Sequence, residues 1–137
     1  MFALSLKFYD TENKIFSVSN AILIPESETL KICNKLARHY KFEFNGFKCK
    51  KMSKTLGRAL FKDMSCVFRP NENALLTICH ELAHLWQFDR TNKSRHDKKL
   101  LRKIGILLTY CYENESIVYI LRKRCVILGI KANEETT

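Results

Sequence analysis

One short run constrains this chain more than any other. His80 and His84 stand four positions apart, with Glu81 directly after the first histidine, inside the apolar stretch Leu75-Leu76-Thr77-Ile78-Cys79-His80-Glu81-Leu82-Ala83-His84-Leu85-Trp86-Gln87. Residues four apart on a helix share a face, so both imidazoles can meet one metal ion from the same side. Glu81 sits about 100° round the helix, close enough to reach a water on that ion. This is the HExxH pattern, in which two histidines bind zinc and the glutamate works as a general base. On the helical wheel, Leu75, Ile78, Cys79, Leu82, Leu85 and Trp86 form one stripe. Its centre lies about 150° from the side holding Thr77, His80, Glu81, His84 and Phe88. A core-facing stripe behind a His/Glu face suits an active-site helix; the plainer alternative is an amphipathic helix with two surface histidines.

Catalytic zinc takes three protein ligands and keeps one position open. The chain has four histidines, three of them between positions 80 and 96. His96, twelve positions after His84, is the first choice for the third ligand. Glu113, Glu115, Asp89 and Asp97 remain as alternatives. The longer motif, with glycine and then a third histidine six residues after the second, fails because Gln87 and Arg90 stand there. His39 reads as a structural or surface residue.

The rest of the composition sets the frame. The 137 residues, 46% hydrophobic and 28% charged, suit one globular domain with one core. No apolar run approaches the roughly 18 residues of a membrane span, and Lys7 interrupts an otherwise apolar start, so neither a membrane partner nor a signal peptide is expected. Six cysteines occur without any CxxC pair, several in apolar stretches. They read as free thiols in a reducing compartment, cytoplasmic or nucleoid-associated, or the host cytoplasm for a virus- or plasmid-encoded chain. The net charge of +10 attracts polyanions. Two basic runs could hold a DNA backbone: Lys48, Lys50, Lys51 and Lys54, and Lys98, Lys99, Arg102 and Lys103 just after His96.

The periodicities predict an α+β fold. Alternating Phe2, Leu4, Leu6 and Phe8 predict a strand, and residues 15–24 a second. Together, residues 1–25 form an N-terminal extension. A helix is predicted over residues 27–40 and a strand over 42–47. Two more strands follow at 56–61 and 64–68. Helices follow over 72–88, 97–110 and 116–128, and residues 129–137 form a flexible tail.

Taken together, these features resemble the SprT-like zinc metallopeptidase family, which includes the Spartan-type DNA–protein crosslink proteases. The resemblance rests on Gly57-Arg58-Ala59, on Val67-Phe68-Arg69-Pro70, on the His80–His84 helix, and on His96 followed by Lys98-Lys99-Leu100. It covers roughly residues 27–104. It implies a minimal zincin-like architecture: an N-terminal helix, a small three-stranded antiparallel sheet, the HExxH helix and further C-terminal helices. It also implies one Zn²⁺ per chain on His80, His84 and His96, with Glu81 as the general base of peptide-bond hydrolysis on protein substrates, acting near DNA. Asp89 and Asp97 are the candidates to hold the free imidazole nitrogens, and Tyr110, Tyr112 and Arg95 the candidates for an oxyanion donor. Here His96 is followed by Asp97-Lys98-Lys99 rather than by the family's usual Gly or Asn, acidic and aromatic run, and no zinc ribbon is encoded. The alternative is a basic nucleic-acid-binding or host-interaction protein that keeps the fold without turnover.

Overall fold

The computed structural model describes residues 2–127. It is α+β, with six helices and two three-stranded sheets. Its centre is helix α4, Leu75–Thr91. Ile78, Leu82 and Leu85 are fully buried, as the wheel requires. The opposite side is buried too, with His80, Glu81 and His84 each at most 8% exposed. The helix is therefore not amphipathic with a wet face: other elements cover its His/Glu side. Asn92, in the left-handed conformation at φ 58°, ends it.

Two elements flank that side. β3, Gly57–Leu60, lies along α4 and is the edge strand of a sheet ordered β2-β4-β3. β2 is Phe47–Cys49 and β4 is Ser65–Phe68. The expected strands at 56–61 and 64–68 are thus present, paired antiparallel from Gly57↔Phe68 to Leu60↔Ser65. The expected all-antiparallel sheet is not: β2 runs parallel to β4, with Phe47 opposite Cys66. Only Phe47 of the predicted 42–47 strand is extended and paired. Phe42 is instead buried against the core, stacked 5.9 Å from Trp86.

The N-terminal expectation is corrected most. Residues 2–8 do not form a strand; they open helix α1, Phe2–Ile15. No Gly or Pro occurs before Pro25, so nothing interrupts a helix there. A short period-two alternation is also compatible with helix when tertiary contacts favour it. The predicted strand 15–24 divides into α2, Ser17–Asn20, and β1, Ile22–Pro25. β1 pairs antiparallel with β5, Glu72–Ala74, where the helix start at 72 was expected, and with β6, Val126–Ile127.

The remaining helices follow the periodicity, except that the helix expected over residues 116–128 ends at Lys123 and residues 126–127 pair with β1 as β6. α3 runs Glu26–Tyr40, with Glu26 and Glu28 in the first turn where the helix dipole favours them. α5, Lys98–Glu113, is capped by Asp97, whose carboxylate accepts from the Leu100 amide at 2.9 Å. α6, Glu115–Lys123, is capped by Asn114. The tail at 129–137 lies outside the described residues. All six cysteines are free, with Cys33, Cys66, Cys79 and Cys111 fully buried.

Because Leu82 is fully buried between the candidate histidines, Leu82→Ala should cost about 2–5 kcal/mol of unfolding free energy by urea titration. A loss below about 1 kcal/mol would mean that α4 is not the centre of the core.

Candidate metal centre

Three imidazoles converge beside α4. His80 Nε2 and His84 Nε2 are 3.2 Å apart, His84 Nε2 and His96 Nε2 3.2 Å, and His80 Nε2 and His96 Nε2 3.3 Å. The helix supplies the first two. The segment after Asn92 turns back and supplies the third. Among the described residues, these three form the only group of His, Cys, Asp or Glu side chains positioned to hold a metal ion.

Hydrogen bonding fixes where the protons sit on two of the rings. His80 Nδ1 lies 2.6 Å from Glu12 Oε2, and a carboxylate only accepts, so Nδ1 carries the hydrogen. For His84 the argument runs through Gln87. The Arg95 amide donates to Gln87 Oε1, so that oxygen is an acceptor, and the Ser94 hydroxyl donates to it at 2.8 Å. Ser94 Oγ must then accept from His84 Nδ1, 2.6 Å away. With the rings neutral, as metal ligation requires, both Nε2 atoms present lone pairs to the cluster. Converging imidazole lone pairs repel one another unless a cation lies between them. Tetrahedral ligands about 2.0–2.1 Å from a metal ion are separated by about 3.3–3.4 Å. The observed triangle, and the donor set of three neutral imidazoles, fit such an ion with one position left open.

Electrostatics follow the geometry. Burial, together with the neighbouring His80 and His96, pulls His84 down to about 3. Burial and His80 likewise lower His96, against the opposing pull of Glu12 and Asp97. Burial also works to lower His80, but the Glu12 hydrogen bond and the Glu81 and Glu12 charges leave it raised. Burial pushes Glu81 up to about 6, with Glu12 adding to the rise while His80 and the Ala59 amide oppose it. The strand passes close because residue 57 is glycine: a Cβ there would stand 3.1 Å from Glu81 Cγ and 3.2 Å from Thr77 Cγ2. On either side of Glu81 and His80 the surface is hollow. One cavity of about 390 Å³ reaches Lys54, Leu76 and Thr77; another of about 250 Å³ reaches Arg58, Phe61 and His96.

The structure thus brings together Glu81, His80, His84 and His96. Glu113 and Glu115 line a separate hollow with Tyr119 and Arg122. Asp89 is exposed. Asp97 caps α5 and touches the centre only through Gln87, 3.3 Å away. His39 packs on Tyr40 and Tyr110, away from the cluster. Tyr112 bonds Ser19 and Tyr110 bonds Asn114, so neither reaches the histidines. Of the basic residues after His96, Lys98, Lys99 and Arg102 are exposed, whereas Lys103 lies 4.4 Å over the Trp86 ring.

Sequence reasoning missed Glu12, Tyr9 and Ser94. Tyr9 stacks on His80 at 5.6 Å, with its hydroxyl 3.3 Å from His96 Nε2. Only a helical reading of residues 8–12 would have placed Phe8, Tyr9 and Glu12 on one side. No protein-family model, no curated protein and no solved structure matches the chain.

The depressed His84 value has a consequence for the metal-free protein. Between its ordinary 6.5 and about 3, the unfolded chain binds a proton at residue 84 that the native chain does not, so acid favours unfolding. In chelator, wild type should lose more unfolding free energy between about pH 7 and pH 5 than His84→Gln does. Equal losses would show that His84 is not held neutral.

Proposed function

We propose that this protein is a zinc-dependent metallopeptidase of SprT-like, zincin-like type. The observation that carries this reading is the triangle of three Nε2 atoms with the Glu81 carboxylate beside it. His80, His84 and His96 would hold the ion, and an Asp or Glu ligand is not needed. Zinc so bound supplies a water acidified toward neutral pH and a Lewis acid for the scissile carbonyl.

The chain's own groups do the rest. Glu81 accepts a proton from water and returns it to the leaving amine. Its raised value of about 6 keeps it a competent base near neutrality and still able to give the proton up. A purely structural metal site has no use for this carboxylate, which favours turnover over a binding-only role. Tyr9 takes the oxyanion-donor role first sought in Tyr110, Tyr112 or Arg95, because its hydroxyl lies at the cluster. β3, an edge strand beside Glu81, offers unpaired backbone groups on one side, and an extended peptide is the natural partner of such an edge. Peptide or protein is accordingly the substrate class.

The exposed Lys98, Lys99 and Arg102, at the start of the helix that follows His96, would draw DNA toward the centre. Free cysteines suit a reducing, cytoplasmic-type compartment. No helix among the described residues is long and apolar enough to cross a membrane.

Elemental analysis should find about one zinc per chain in wild type and much less in His96→Ala. Glu81→Gln should keep its zinc and lose at least about 10²-fold in the hydrolysis of an unfolded protein substrate. Zinc-free wild type would defeat the whole reading. Zinc-loaded wild type that cleaves nothing, with or without DNA, would leave the alternative of a metal-holding nucleic-acid-binding protein.

A further inference from the structure

Over residues 8–15, helix α1 meets the rest of the protein through one face. Phe8, Tyr9 and Glu12 are three and four positions apart and share one side. Each of them touches a candidate ligand. Phe8 is buried, with its ring 5.8 Å from His80 and 5.0 Å from His96. Tyr9 stacks on His80 at an interplanar angle of 14°. Glu12 accepts from His80 Nδ1 at 2.6 Å, both side chains being 6% exposed. The other side of the helix is wet: Asp10 and Lys14 pair there in solvent, and Ile15 is 57% exposed.

Two physical points follow. A helix of 14 residues is marginal on its own in water, so α1 depends on the face that docks. A buried carboxylate is costly unless it is paired and hydrogen-bonded. The docking face therefore depends on the state of His80. A cation on Nε2 draws electron density from the ring and makes Nδ1–H a stronger donor, while the carboxylate makes Nε2 a better ligand. Favourable coupling of this kind runs equally in both directions.

We propose that Glu12 is a positioning residue of the metal centre, through which α1 and a divalent cation bind the rest of the protein cooperatively. The proposal rests on the metal-site part of the function given above. Glu12 holds the His80 ring with Nε2 toward the cluster, and the cation in return holds α1 against α4 and the His96 segment. The junction at Ile15–Ser17, exposed at Ile15 and Ser17 with Phe16 half-buried between them, is where the chain would open when the centre is empty.

The test uses the full chain and zinc alone. Zinc affinity is measured by competition with a chromogenic chelator for wild type, Glu12→Ala, Glu12→Gln and, as a control on the wet face, Lys14→Ala. Glu12→Ala should bind about 10–100-fold more weakly, Glu12→Gln should recover part of the loss by keeping an acceptor oxygen, and the control should match wild type. Limited proteolysis should cut wild type near Ile15–Ser17 faster without zinc than with it, and Glu12→Ala should lose that protection. A substitution that only loosened the fold would not be rescued by the glutamine. Should Glu12→Ala fail to fold, Glu12→Gln against wild type decides. Stoichiometric zinc in wild type with affinity unchanged, within about twofold, in the folded Glu12 variants overturns this proposal and leaves the function standing. Wild type that binds no zinc overturns both.

Discussion

Three imidazole nitrogens, all within 3.3 Å of one another and two with their lone pairs pointed inward, are the constraint around which this molecule is arranged. Left to themselves such groups repel, and the cost rises with burial because water cannot intervene. The surrounding structure works to hold them together. A carboxylate from α1 fixes one ring, and a hydroxyl anchored on Gln87 fixes another. Gln87 gathers the returning segment by accepting from both Ser94 and the Arg95 amide. Gln87, one of the two positions that break the longer metalloprotease motif, is thus the one that brings the third histidine home.

The scaffold explains the chemistry available to Glu81. From Leu75 to Leu85 α4 is buried all round, so the carboxylate sits in a low-dielectric groove between helix and edge strand. Gly57 allows the strand close enough for the Ala59 amide to reach it. Desolvation and the Glu12 charge push it up, His80 and that donor pull it down, and desolvation is the strongest of the four. The rise therefore comes mainly from burial beside the strand that Gly57 lets in, against the pull of the motif's own His80.

Much of this was legible in the sequence where the signal is local. The spacing of His80, Glu81 and His84 and the apolar stripe of α4 need only helical periodicity, and α3, the β3–β4 hairpin and α5 were recovered for the same reason. His96 stood out because few histidines were available. Glu12 and Tyr9 did not, because their roles exist only once α1 docks on a helix whose His80 is 68 positions from Glu12. The alternation in residues 2–8 pointed to the wrong period, since a short window cannot separate strand from helix when tertiary contacts decide. The parallel pairing of β2 with β4 was equally hidden, because alternation reveals a strand but not its direction.

The six thiols acquire a different meaning beside a histidine centre. Thiolate is a softer and stronger ligand for zinc than imidazole, but only the deprotonated form binds. Burial raises Cys33, Cys66 and Cys79 well away from ionisation, and Cys49 and Cys125 to about 11. None of the six joins the triad. Folding therefore thins the chain's own competitors: an unfolded chain offers six sulfurs to a passing metal, and the closed one has put four of them in the core and leaves Cys49 and Cys125 partly covered. Where the ion ends up is decided by which ligands the core has already put away.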